Sequence, residues 1–311
     1  MDKRRVVVDA PAKVNLSLEL LGTRADGYHL LRSVLMPVSL YETVTAEEAD
    51  AITCETVGDG VDVSELSTLP QGRHLAVRAA EALRAAAGVR AGARIHISKR
   101  VPIGAGMGGG SADAAGVLTA LNELWGLRWP AARLAEVGAT LGSDVPAMTL
   151  GGAVLLEGAG ERVRSILAPD EHPAGFWLVA VFPGIPVSTK KIYENGPSLL
   201  TSAPCLCDNL VAFVRSGDVH GASRCLFNGL ERTAFALYPQ TERFGLALRA
   251  AGALSCLLSG SGSAVFGLAE SERHADEVRR RVESRLGAGH WTRIMITLPD
   301  GVMAAHGPLV P

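Results

Sequence analysis

Pro102-Ile103-Gly104-Ala105-Gly106-Met107-Gly108-Gly109-Gly110-Ser111 places five glycines in ten residues, immediately before the apolar, alanine-rich stretch Ala112 to Leu124. Glycine lets a backbone turn its N–H groups to one side and approach a ligand closely. The stretch that follows reads as a helix with Ser111 as its N-cap, and a helix N-terminus adds unpaired donors and a positive dipole end. Loop and helix together make a cradle for an anion, of which phosphate is the usual kind. A Walker A loop is excluded because no lysine follows the glycines. Gly104, Gly106 and Gly109 spell the dinucleotide fingerprint G-x-G-x-x-G. That fingerprint also needs an acidic residue at the end of the next strand, and Glu123 lies inside the predicted helix. A loop that merely packs tightly against its helix is the bland alternative.

Outward from the loop, the chain alternates strands and helices without strict βαβ order. Val6 to Val8 and Val14 to Leu20 read as short strands, and Leu30 to Val44 as an extended stretch. Leu75 to Ala87 has helical spacing, and Arg94 to Ser98 alternates as a strand leading into the loop. A helix is predicted from Pro130 to Leu141, stopped by Gly142, then a strand from Ala153 to Glu157. Residues 158–175 are rich in Gly, Ala and Pro and mark a seam. Beyond it, Phe176 to Phe182 reads as a strand, and Ala253 to Leu258 and Ala264 to Leu268 as a hairpin around Ser259-Gly260-Ser261-Gly262-Ser263. Glu272 to Leu286 is a charged amphipathic helix, and Trp291 to Leu298 a last strand. The expected class is α+β in two domains, 1–165 and 166–311.

The composition suits this: 311 residues are enough for two cores, with 48% hydrophobic and 20% charged residues. A net charge of −2 offers no excess of positive charge for a nucleic-acid backbone. The run Arg279-Arg280-Arg281 reads as a solvated helix face. Cys54, Cys205, Cys207, Cys225 and Cys256 include only one close pair, which completes no zinc site, so reduced thiols are expected. Asp9, Lys13 and Asn15 interrupt the apolar N-terminal region, and no run approaches the roughly 18 apolar residues of a membrane span. A cytoplasmic protein is the expectation, with oligomeric state open between monomer and homodimer.

Three motifs appear in order over the chain: Ala10-Pro11-Ala12-Lys13-Val14-Asn15-Leu16, the central glycine loop, and the second loop Ser259 to Ser263. Together they resemble the GHMP kinases, the superfamily named for galactose, homoserine, mevalonate and phosphomevalonate. Arg24-Ala25-Asp26-Gly27-Tyr28-His29, Leu141-Gly142-Ser143-Asp144-Val145-Pro146 and Pro183-Gly184 with Val187-Ser188-Thr189 resemble one branch, the 4-diphosphocytidyl-2-C-methyl-D-erythritol kinases of non-mevalonate isoprenoid biosynthesis. One departure is His74, where that branch more often carries Asn.

The resemblance implies a two-domain fold with the active site in the cleft, and ATP-dependent phosphorylation of an alcohol on a cytidine-diphosphate substrate. It assigns Pro102, Gly104, Gly106, Gly108, Gly109, Gly110 and Ser111 to the ATP phosphates, with Mg²⁺ beside them and no protein residue named as its ligand. It makes Asp144 the base, although an Asp there could equally serve as a turn or capping residue. Lys13 is implied as the partner that keeps Asp144 ionised; by itself it could be a lysine snorkelling from a strand end. Asn15 is implied at the hydroxyl or the Asp. Tyr28 and His29 are implied at the cytosine, by stacking and by hydrogen bonding, and Thr189 in closing over the substrate. A mevalonate- or homoserine-type kinase is the nearest rival, and Tyr28 and His29 discriminate against it, since those substrates offer no base to stack on. A non-catalytic ATP-binding module is the rival from another class, and it has no need of Asp144 with Lys13.

Overall fold

The computed structural model describes residues 4–25, 27–195, 206–287, 289–301 and 304–306. Asp26 and Cys205, both singled out above, lie outside the described residues.

The first half forms β1 (Arg5–Thr23), β2 (His29–Ala49), β3 (Ile52–Gly58), α1 (Ser64–Ser67), α2 (Leu75–Ala87) and β4 (Gly92–Lys99). After the glycine loop come α3 (Gly109–Leu124), α4 (Ala131–Gly138), α5 (Val145–Leu150), β5 (Val154–Gly158) and β6 (Arg162–Ser165). The two short N-terminal strands expected from sequence are in fact one strand of 19 residues. Pro11 does not break it because Pro11/Ala12 is a register shift against β2, where the missing N–H costs no ladder bond. A second shift falls between Asn15 and Ser17. The two irregularities bracket Lys13 to Asn15, and bulges re-aim side chains at such places.

β1 pairs antiparallel with β2, β2 with β4 and β5, and β3 runs parallel to β4. α2 and α3 bury an alanine-rich face, with Ala76, Ala79, Ala80, Ala114, Ala120 and Leu118 packed in one core with Val44 and Ile95 of the sheet. Small side chains let α3 lie close on β1 and β2. That proximity brings its N-terminus beside Lys13.

The second half adds β7 (Trp177–Phe182), α6 (Thr189–Glu194), α7 (Leu206–Ser216), α8 (Val219–Ser223), β8 (Phe227–Asn228), α9 (Glu231–Leu237) and α10 (Pro239–Ala250). It ends with β9 (Cys256–Leu258), β10 (Val265–Ala269), α11 (Glu272–Leu286), β11 (Trp291–Ile296) and β12 (Ala304–His306). A four-stranded sheet runs β11-β7-β10-β9, with Ser259 to Ser263 as the connection of the β9–β10 hairpin. β8 and β12 leave this sheet and pair with β1. One core joins the halves: Val14, Met36 and Val38 of the first sheet cluster with Leu178, Phe266 and Met295 of the second. Burying such side chains stabilises by roughly 1.5–3 kcal/mol each, enough to fix the two sheets against one another.

Two helices differ in extent from the sequence reading. α3 begins at Gly109 with Gly108 as N-cap, so Ser111 lies inside the first turn and caps nothing. Gly108 adopts φ +71°, which a Ser N-cap would not. α4 stops at Gly138, three residues before Leu141, with turn hydrogen bonds from Thr140 and Leu141 finishing the segment. Arg279, Arg280 and Arg281 do lie on α11, where they pair with Asp276, Glu277 and Glu283. Among the described residues Cys54, Cys207, Cys225 and Cys256 are free thiols, and no helix is long and apolar enough to cross a membrane.

Candidate active site

The two glycine loops are zipped together, carbonyl side inward. Gly104 O accepts from Ser263 N at 3.1 Å, Ala105 O from Ala264 N at 3.1 Å, and Gly106 O from the Ser259 hydroxyl at 3.1 Å. Met107 O accepts from Lys13 N at 3.0 Å. The loop's acceptors are thus satisfied by protein, and the first amides of α3, at Gly109, Gly110 and Ser111, have no intrahelical acceptor by helix geometry. They face a cavity of about 1360 Å³ that Pro102, Gly104, Gly106, Gly108, Gly109, Gly110 and Ser111 all line.

Lys13 passes between the loops. A Cβ on Gly108 would stand 2.8 Å from Lys13 Cγ, and one on Gly260 3.2 Å from Lys13 Nζ. Both glycines have positive φ, +71° and +56°, so the backbone and the lysine each require them. Part of the glycine content therefore makes room for a protein side chain. Lys13 is 4% exposed. Its ammonium donates to Asn15 Oδ1 at 2.6 Å and lies 3.3 Å from Asp144 Oδ2. Asn15 in turn donates to Ser33 Oγ at 2.8 Å, which orients its amide so that oxygen faces the lysine. Asp144 stands at the N-cap position of α5 but makes no side-chain cap bond. Its carboxylate opens instead to the cavity, with Lys13 as its ion pair.

Tyr28, His29 and Thr189 line the same cavity. Tyr28 is 63% exposed, a flat aromatic surface left open, with the Arg24 guanidinium 5.5 Å from its ring centroid. The His29 ring lies 5.4 Å from that of Tyr193, tilted by 55°. Burial, with the nearby Asp144 charge, pushes the Tyr193 phenol above its usual range. Thr189 exchanges a 2.8 Å hydrogen bond with Ser261, tying the start of α6 to the second loop. Every sequence-expected site residue thus meets in one cavity.

Sequence reasoning missed Tyr193 and the buried ionisable group Glu42, Lys99 and Asp113, while Ser261 belongs to the second loop that the sequence singled out. A tyrosine four residues past Thr189 is a signal the sequence carries. So is Asp113 among the alanines that open the helix.

Position 74 has a structural account. His74 is the N-cap of α2, its Nδ1 accepting from Ala76 N at 3.3 Å while Nε2 shares 3.1 Å with Thr56 Oγ1. Both ring nitrogens are engaged, in the tautomer protonated on Nε2. Asn offers the same cap acceptor, which is why either residue serves here. Burial, against the pull of Asp113, lowers the His74 pKa from 6.5. The native state thus favours neutral imidazole, and its contribution is fully present above pH 6.5 and lost as pH falls through the folded value. His74→Ala is expected to cost about 1 kcal/mol in urea unfolding at pH 8, and His74→Asn to recover most of it. Wild type should lose stability relative to His74→Asn between pH 8 and 5.5.

Residues 74–152 match the GHMP kinases N terminal domain and residues 210–288 the GHMP kinases C terminal model. The 4-diphosphocytidyl-2-C-methyl-D-erythritol kinase of Geobacter sulfurreducens is 39% identical over 284 residues, 91% of this chain and 96% of that protein. Its namesake from Pelotomaculum thermopropionicum is 40% identical over 273 residues, covering 88% and 92%. A crystal structure of 4-(cytidine 5'-diphospho)-2C-methyl-D-erythritol kinase superposes with TM-score 0.74 at 34% identity, covering 93% of this chain and 99% of that one. Homoserine kinase from Cytophaga hutchinsonii shares the fold, with TM-score 0.73 at 20% identity and 96% of each chain covered. With its two GHMP domains and relatives this similar along nearly their whole length, the chain belongs to the 4-diphosphocytidyl-2-C-methyl-D-erythritol kinase family.

Proposed function

We propose that this kinase transfers the γ-phosphoryl group of ATP to the 2-hydroxyl of 4-diphosphocytidyl-2-C-methyl-D-erythritol, giving the 2-phosphate and ADP. One observation carries the reading: the Lys13–Asp144 pair, 3.3 Å apart, faces the same cavity as the N-terminus of α3 and the Tyr28, His29 and Tyr193 rings. Phosphoryl transfer asks a protein chiefly for positioning and for stabilisation of charge on the transferring group. The amides of Gly108, Gly109, Gly110 and Ser111 meet the phosphates of ATP at the positive end of the helix. Pro102, Gly104 and Gly106 shape the loop. Asp144 accepts the proton of the substrate hydroxyl, or aligns that hydroxyl, while Lys13 pairs with the carboxylate and adds positive charge beside the transferring group. Asn15 fixes Lys13. At the other end of the cavity Tyr28 stacks on the cytosine, His29 bonds its edge, and Thr189, anchored on Ser261, closes over the substrate.

Among the described residues no three His, Cys, Asp or Glu side chains gather as a metal site. Mg²⁺ is usually held by few carboxylates plus substrate phosphates, so a Mg²⁺ ion would arrive with the ATP phosphates, with the Ser111 hydroxyl or a phosphate-bound water beside it. Bound there, it neutralises phosphate charge. The domain division 1–165 and 166–311 is part of the same reading. It is supported by β1 to β6 sharing one sheet and β7 and β9 to β11 the other.

The test is turnover. Protein, ATP and Mg²⁺ with a panel of alcohols should release ADP with the cytidine-diphosphate alcohol and leave mevalonate and homoserine untouched. Turnover of only the latter two means that the cytosine assignment is wrong.

A further inference from the structure

Beneath the glycine loop lie three ionisable side chains that the proposed mechanism does not use. Lys99, the last residue of β4, donates to Glu42 Oε1 at 2.8 Å and to Asp113 Oδ2 at 2.6 Å. Glu42 Oε2 accepts from Arg100 N at 2.6 Å and reaches Val101 N at 3.5 Å. The three side chains are at most 4% exposed. Burial works against the Lys99 ammonium, but Asp113 and Glu42 outweigh it and hold its pKa above the ordinary value. Burial lifts the Glu42 carboxyl to about 7 even though Lys99 pulls it down. Asp113 Oδ1 is buried with no hydrogen-bond partner.

For stability alone this is a poor use of a core position. Apolar side chains of similar volume commonly serve a fold as well as a buried ion cluster does, and an orphaned carboxylate oxygen adds a cost. Location suggests the compensation. Arg100 and Val101 run directly into Pro102, where the glycine loop begins. Asp113 lies one turn beyond Gly109, where it ends. Gly109 itself packs down on the cluster, since a Cβ there would stand 3.0 Å from Glu42 Oε1. One ammonium and two carboxylates therefore tie both ends of the loop to each other and to β2.

The geometry points to Glu42, Lys99 and Asp113 as positioning residues that hold the entry and exit of the glycine loop at a fixed separation, so that its amides meet the nucleotide phosphates in one register. Lys99 and Asp113 border the cavity, yet two of the ammonium protons are already taken by carboxylates, so the cluster acts through the loop. This inference rests on the reading of the loop as a phosphate cradle.

The test compares Lys99→Met and Glu42→Gln with wild type, measuring binding of a non-hydrolysable ATP analogue with Mg²⁺, KM for each substrate, kcat, and thermal unfolding. Lys99→Met severs both ties. Glu42→Gln keeps the side chain's size and an acceptor for the Arg100 amide, and carries the test by itself if Lys99→Met does not fold. Analogue binding and KM for ATP should weaken by about tenfold in Lys99→Met and about threefold in Glu42→Gln, while KM for the alcohol stays within about twofold. Variants that lose thermal stability but bind the analogue as wild type does overturn the inference, as does an equal loss for both substrates. Wild-type protein that fails to bind the analogue overturns the cradle reading, and the inference with it.

Discussion

Asp144→Asn is expected to lower turnover by roughly 10²-fold or more while leaving affinity for an ATP analogue within about threefold. The substitution keeps the shape of the side chain and removes its charge, so the hydroxyl loses its proton acceptor and Lys13 its ion pair at 3.3 Å. A structural explanation of Asp144 is weak. The residue occupies the N-cap position of α5 yet makes no cap hydrogen bond, and Pro146 in the first turn already suits a helix start. The stability the variant does lose comes from leaving the buried Lys13 ammonium without its carboxylate, which thermal unfolding measures separately from turnover. In the proposed reading the nucleotide rests on the α3 amides, which Asp144 does not supply, so analogue binding should survive. Single-turnover quench with saturating ATP separates the chemical step from product release. Turnover within a few-fold of wild type would remove Asp144 from the mechanism.

The motifs carried the site because each combines a residue type with a backbone need that is written locally. A run of glycines before an apolar helix says where amides gather. A lysine between Pro11 and Val14 on an apolar strand is costly to bury unless a carboxylate or phosphate meets it, and Asp144 does. What remained hidden depends on pairing across the fold. Nothing local announces that Gly108 and Gly260 serve Lys13, since the contact joins residues far apart in the chain. The start of α3 was misjudged for a related reason: Ser111 is the better cap by type, but Gly108 can take the left-handed turn that brings the chain off Lys13. β1 reads as two strands, Val6 to Val8 and Val14 to Leu20, because the bulge that carries the chain through Pro11 belongs to the register with β2. Lys99 is the plainest case. As the last residue of a strand it looks like a solvated end, and only the fold places Glu42 and Asp113 around it.

Lys13→Met is expected to cost roughly 10²–10³-fold in kcat, about what removing one preorganised charge-stabilising donor costs elsewhere. Methionine keeps much of the unbranched stem that packs against Gly108 and removes the ammonium. Burying a lysine that is 4% exposed is itself unfavourable, so the variant should melt within a few degrees of wild type. Loss of activity through unfolding is thereby separable from loss of chemistry. The sharper test is the double variant. If Lys13 acts by keeping the Asp144 carboxylate aimed, then Lys13→Met in an Asp144→Asn background has little left to remove, and the pair should fall close to the worse single variant. If Lys13 instead acts on the phosphates independently of Asp144, the two losses multiply. The 2.6 Å bond from Lys13 to Asn15 and the 3.3 Å approach to Asp144 favour the first outcome, because the ammonium is held against the carboxylate by a neighbour on its own strand. Multiplying losses would move Lys13 from the carboxylate to the phosphates.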